Sequence, residues 1–110
     1  AFAQRANLYQ ALSPFLPAST NFAIKDFEEA IKLNRQNPQY RTQLGKLYAS
    51  RGDFNNAALA FYNAYALSPT NLQTLYQLAD TLEKSGQIKK ADYYLKKLIS
   101  LLPRDDKNLK

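Results

Sequence analysis

The sequence predicts an all-α fold: a right-handed α-solenoid of antiparallel helix pairs, with about six helices. Three observations carry that reading. The chain is self-similar at a displacement of 34 residues, its apolar residues fall at helical spacing within each period, and Gly and Pro recur at the same points of it. A shift of 34 brings Leu44 onto Leu78, Gly52 onto Gly86, Ala57 onto Ala91 and Pro69 onto Pro103. It also brings Phe54 onto Ile88, Phe61 onto Leu95 and Leu67 onto Leu101. In the other direction Ala57 falls on Ala23, Phe61 on Phe27, Ala64 on Ala30, Leu67 on Leu33 and Asn71 on Asn37. Such a period marks supersecondary units that cannot bury an apolar face alone and do so by stacking.

Residues 1–37 read as a degenerate leading unit. A helix through Leu8 and Leu12 is expected to stop near Ser13, because Pro14 and Pro17 follow and an interior proline costs about 3 kcal/mol. After a Pro-bounded loop, Ser19 or Thr20 opens a second helix carried by Phe22, Ala23, Phe27, Ala30, Ile31 and Leu33. Residues 38–71 form a full unit. Its first helix has a largely apolar stripe of Leu44, Leu47 and Tyr48, ending at Arg51. Gly45 lies inside that helix, where it costs about 1 kcal/mol relative to Ala, so a neighbouring helix is expected to approach closely there. Gly52 ends the helix in a left-handed conformation, and Asp53 caps the next one. Ala57 and Ala64 let paired helices touch, Phe61 fills the space between them, and Pro69 stops the helix after Leu67. Residues 72–105 repeat the scheme with Leu75, Leu78-Ala79 and Leu82, then Gly86, then Ala91, Leu95 and Leu98, with Asn71 as N-cap. Residues 106–110 are a polar tail. The apolar Leu98, Ile99, Leu101 and Leu102 have no capping helix after them, which suggests a piece of a longer protein, as does the missing initiator Met.

The pattern resembles the tetratricopeptide repeat (TPR), whose signature is W-x2-L-G-x2-Y, then A-x3-F, then P. Leu44, Gly45, Tyr48, Ala57, Phe61 and Pro69 match it in one unit. In the other, Leu78, Ala91 and Pro103 match, and Ala79, Leu82 and Leu95 are accepted substitutes. Arg41 and Leu75 stand at the signature Trp, with Tyr40 next door to supply an aromatic ring. The resemblance implies a non-catalytic scaffold that holds a peptide or partner protein on a concave face lined by first helices, within a larger assembly.

On that face, helical spacing projects Gln39, Thr42, Gln43, Lys46 and Ser50 from one unit and Gln73, Tyr76, Gln77, Asp80 and Glu83 from the next. Gln43 and Gln77, one period apart, suit hydrogen bonding to a partner's backbone. Some family members clamp a C-terminal carboxylate with Lys and Asn from successive first helices. Lys46 resembles a fragment of that arrangement, but Asp80 stands at the corresponding place of the next unit and repels a carboxylate. No such clamp is expected.

Composition narrows the chemistry. The chain has no His and no Cys, which removes the commonest general base, thiolate nucleophiles, disulfides and the usual zinc ligands. The three glycines are consumed by the repeat, leaving no phosphate loop. An enzyme is not expected, nor a cofactor or metal. The net charge of +6 divides evenly: residues 1–55 hold seven basic and four acidic groups, residues 56–110 eight and five. No basic arm results. The alternative function is a basic docking surface for RNA or anionic membrane through Lys84, Lys89, Lys90, Lys96 and Lys97, with only Asp92 among them. Tyr93 and Tyr94 offer stacking surfaces beside these lysines. Against it, the lysines fall on more than one side of the helix, and no Arg accompanies them. Tyr62, Tyr65 and Tyr93 are expected at an outer face or inter-repeat seam. Association of copies through the uncovered C-terminal end is compatible with either function. The opening Ala1-Phe2-Ala3 is similar to an exported protein's cleavage tripeptide. Cleavage normally falls after such a tripeptide, so a cytoplasmic placement is preferred to an exported one.

Overall fold

A computed structural model of the chain describes residues 2–12 and 17–103. Among these residues there are six helices and no strands: α1 (Phe2–Leu12), α2 (Pro17–Leu33), α3 (Pro38–Ser50), α4 (Phe54–Leu67), α5 (Leu72–Lys84) and α6 (Ile88–Leu101). Each odd-numbered helix packs on the even-numbered helix after it, and α2 on α3 and α4 on α5 join the pairs. The result is an all-α solenoid 48 Å long and 27 by 23 Å across.

The turns inside the second and third pairs are built alike. At the end of α3, Gly52 takes φ 77°, and at the end of α5 Gly86 takes φ 88°. Gly52 N–H donates to Ala49 O at 2.9 Å and Asp53 N–H to Tyr48 O at 3.0 Å. Gly86 and Gln87 donate in the same way to Glu83 and Leu82, at 3.0 and 2.9 Å. This is the Schellman arrangement, which satisfies the last carbonyls of a helix and needs a left-handed residue. The residue after each glycine stands at the N-cap of the following helix, where Asp53 caps α4 through its side chain and Gln87 makes no side-chain cap hydrogen bond. Asp53 Oδ1 accepts from Asn56 N–H at 3.3 Å, and its Oδ2 from the Asn56 side chain at 2.7 Å. These bonds from Asn56, side chain first, hold the Asp53 carboxyl below its ordinary pKa. Asn37 and Asn71 cap α3 and α5 by accepting from Gln39 N–H and Thr74 N–H.

Two buried clusters run along the stack. One gathers Ala6, Ala23, Ile24, Phe27, Leu44, Leu47 and Ala60, with Tyr40 packed against it. The other gathers Ala57, Ala58, Phe61, Leu78, Leu82 and Ala91. Tyr40 lies with its ring centroid 6.4 Å from that of Phe27, so it supplies the aromatic ring that Arg41 does not. Arg41 instead donates to the Arg35 carbonyl, while Leu75 is fully buried. Tyr48 bridges both clusters; burial above all, then the nearby Glu28 carboxylate, pushes its phenol up. Gly45 explains itself in contact terms. A Cβ placed there would lie 2.8 Å from Phe61 Cε1, closer than carbon atoms sit in proteins.

The leading pair departs from expectation in one respect. α2 opens at Pro17, not at Ser19 or Thr20, both of which are buried inside its first turn. Proline is at ease at a first helical position, where its missing N–H has no intrahelical role. α1 runs to Leu12; the stop expected near Ser13, the loop expected around Pro14 and the polar tail lie outside the described residues. Phe22 and Leu33, expected to help carry α2, are exposed. What fastens α1 to α2 besides apolar contact is an ion pair: Arg5 Nε donates to Asp26 Oδ2 at 2.7 Å and its NH2 group to Oδ1 at 2.9 Å. Asp26 is buried, whereas the Arg5 side chain is 55% exposed. The Arg5 hydrogen bonds outweigh the burial and hold the Asp26 carboxyl below its ordinary pKa.

Two stability tests arise here. Gly45→Ala should lower the unfolding free energy, read from urea titration, by up to about 2 kcal/mol, since overpacking costs about 1–3 kcal/mol and the gain in helix propensity returns about 1 kcal/mol. Combining it with Phe61→Leu should shrink the Gly45→Ala increment; equal increments in both backgrounds would acquit the ring. Arg5→Met should destabilise at pH 7 by on the order of 1 kcal/mol, discounted for the exposure of Arg5. Because the folded-state pKa of Asp26 is depressed, the ion pair's contribution is complete above the unfolded value of about 3.9. It is lost as pH falls through the folded value. Parent and Arg5→Met midpoints, measured from pH 7 down to 3, should therefore converge at the acid end.

Candidate functional site

The ten first-helix residues form two rows on α3 and α5, and their side chains are committed to different degrees. Thr42 and Ser50 spend their hydroxyl protons on their own helix, donating to Pro38 O at 3.1 Å and Leu47 O at 2.7 Å. Asp80 is held by Lys84 Nζ at 3.0 Å. Gln39, Gln73, Tyr76 and Glu83 are exposed, and Lys46 is half-buried. Gln43 Oε1 accepts from Gln10 Nε2 at 2.9 Å, so α1 joins the row. Gln77 Oε1 is buried and receives no hydrogen bond, although the Gln77 main-chain carbonyl accepts from Thr81 Oγ1 at 2.6 Å. Sequence reasoning missed Gln10 because it lies 33 residues before Gln43, one short of the period.

The lysine set divides in three. Lys84 is bound to Asp80 and lies 5.9 Å from the centre of the Phe54 ring; Lys96 is bound to Asp92 at 3.0 Å. Lys97 sits over the Tyr93 ring at 5.4 Å, and the phenol groups of Tyr65 and then Tyr93 raise its pKa. Lys89 and Lys90 are exposed and make no ion pair among the described residues. The expected five-lysine patch is thus partly neutralised from within, by the i,i+4 carboxylates that helical spacing places beside Lys84 and Lys96.

Between α4 and α6 lies a hollow of about 690 Å³. Leu78 and Leu82 of α5 lie at its base, Leu59, Tyr62 and Tyr93 line it, and Ala58 leaves it room. Four tyrosines gather beside it. Tyr93 and Tyr94 meet edge to face with centroids 5.0 Å apart, Tyr65 and Tyr94 at 5.7 Å, and Tyr62 lies tilted 6.4 Å from Tyr65. Burial foremost pushes the Tyr94 phenol up. The sequence signal for this hollow was the row Asn55, Leu59 and Tyr62, spaced i, i+4, i+7 on a face that the repeat signature does not use.

Residues 49–109 match the family model described as Tetratricopeptide repeat. Over 86 residues the chain is 30% identical to Tetratricopeptide repeat protein 14 of Mus musculus, a match covering 72% of this chain and 11% of that protein. Its fold is similar to that of the type III secretion translocator chaperone SycD of Yersinia enterocolitica, with TM-score 0.76 and 15% identity over 94% of this chain and 70% of that one. It is similar also to the first TPR of Spaghetti (RPAP3) bound to the HSP90 peptide SRMEEVD, with TM-score 0.71, 16% identity and coverage of 94% and 84%. A MamA crystal structure gives TM-score 0.71 and 24% identity, covering 87% of this chain and 54% of that one. The chain thus spans about a tenth of the mouse relative and about half of that MamA chain.

The Lys46–Asp80 pairing of signs leads to a negative expectation. A peptide ending in acidic residues with a free carboxylate should not engage this face. Whatever affinity it shows should change less than about twofold in Lys46→Ala; a tenfold loss, about 1.4 kcal/mol, would reveal a clamp.

Proposed function

The chain belongs to the tetratricopeptide repeat family, and on that premise we propose that it is a non-catalytic interaction scaffold. Its first-helix face, on α3 and α5, binds an extended peptide or a segment of a partner protein. The observation that carries this reading is Gln77, whose buried carboxamide oxygen has no hydrogen bond on the face where Tyr76 stands 55% exposed beside it. An unsatisfied buried acceptor costs about 1–3 kcal/mol, and the Gln77 carboxamide escapes that cost by turning outward to accept a peptide N–H laid across the row. Tyr76 offers apolar area with a polar tip, the kind of side chain that interfaces favour. The peptide-bound Spaghetti domain, similar in fold, supports the same use of this architecture. The absence of His and Cys from the chain supports a role in holding rather than in catalysis. The exposed Ile99, Leu101 and Leu102 at the end of α6 support membership of a larger assembly, by further helices or a second copy. Docking of RNA or anionic membrane on Lys84–Lys97 is the weaker alternative, since Lys84 and Lys96 are already paired.

A displayed random-peptide library, selected on the chain and re-measured by titration, tests the proposal. Selected peptides should lose about tenfold in affinity, or about 1.4 kcal/mol, in Gln77→Ala and in Tyr76→Ala. They should weaken little between low and high salt, unlike a polyanion. Ligands indifferent to both substitutions would overturn the assignment of this face.

A further inference from the structure

The hollow between α4 and α6 is a second surface, made of residues that the first-helix reading does not use. Its chemistry has two parts. The interior is apolar: Leu78 and Leu82 are 1% and 5% exposed, and the core beneath them is closed. Yet Leu59, Tyr62 and Tyr93 above them remain 57%, 46% and 55% exposed, clustered rather than scattered, which is the arrangement that marks interaction sites. The rim is cationic: Lys89 and Lys90 line the hollow, and among the described residues no Asp or Glu does. Both lysines lack an ionic partner among the described residues, while their neighbours Lys84 and Lys96 have one each. A ligand complementary to this surface carries apolar side chains flanked by negative charge. A volume of about 690 Å³ is that of a ligand pocket and admits a few such side chains.

The tyrosines argue against a nucleic acid. Tyr93 and Tyr94 meet at an interplanar angle of 83° and Tyr65 and Tyr94 at 76°, so the rings are braced edge to face against one another. The ammonium of Lys97 lies over the Tyr93 ring. Flat, open ring faces are what base stacking needs, and among the described residues no Arg lines the hollow. A membrane is disfavoured by shape, since the apolar surface is recessed.

We propose that the groove between α4 and α6 binds an acidic amphipathic peptide segment, seating its apolar side chains against Leu59, Tyr62 and Tyr93 and its carboxylates on Lys89 and Lys90. This site is independent of the first-helix face.

The chain contains no Trp, so a probe peptide with one Trp, excited at the red edge where tyrosine does not absorb, reports binding against a dark background. The probe is a short capped peptide of Glu, Asp and Leu around that Trp, titrated by fluorescence anisotropy. Lys89→Glu/Lys90→Glu and, separately, Tyr93→Ala should each weaken it about tenfold or more. All three positions are exposed, and circular dichroism verifies that the variants fold. Gln77→Ala should leave the affinity unchanged, and a peptide with Lys in place of the acidic residues should not bind. An affinity weaker than about 1 mM, or one unaltered by the Lys89→Glu/Lys90→Glu pair, would overturn the proposal. So would an RNA oligonucleotide or phosphatidylserine vesicles that bind the groove more tightly than the peptide.

Discussion

The axes of two packed helices come closest where one of them presents almost no side chain. That constraint organises this molecule. Ala23, Ala57, Ala64 and Ala91 are at most 2% exposed and stand where helices meet, and Gly45 goes further by having no Cβ at all. The space it leaves is taken by the Phe61 ring. Small and large residues are therefore a matched set: the glycine makes room for the ring, and the ring supplies the buried area that offsets the glycine's helix penalty. The Schellman turns at Gly52 and Gly86 serve the same end, folding each helix back within three residues so that the small positions face their partners.

Because the core is met by so few residue types, the outer positions are released for other work. On α3 and α5 they are mostly polar, and the Gln10–Gln43 hydrogen bond continues the row onto α1. On α4 and α6 they are apolar and cationic, with tyrosines braced against each other and lysines sorted into paired and unpaired. Charge is managed locally. Asp80 and Asp92 restrain Lys84 and Lys96 one helical turn away, so a surplus of positive charge in the composition does not become a continuous polyanion track. Lys90 escapes this because no carboxylate lies one turn from it on α6, and Lys89 because Asp92, three residues on, is held by Lys96.

What the sequence by itself determined is what depends on neighbours along the chain. The helix ends at Gly52 and Gly86, the caps at Asp53 and Asn71, and the apolar stripes all rest on bonds and spacings that span only a few residues. Their recurrence at 34 multiplied the signal until the solenoid followed. Tertiary structure alone decided the rest. Arg5 and Asp26 are 21 residues apart at no periodic spacing, and the α1–α2 unit breaks the pattern that made the others legible. The start of α2 at Pro17 was obscured because the same residue type that stops one helix also opens another. Phe22, Leu33 and Leu59 are as apolar in the sequence as Phe27 and Phe61, yet they lie outside. A residue's period places it on a face of its own helix, but which faces are covered depends on how the helices stack, and that is settled by contacts between residues far apart in the chain.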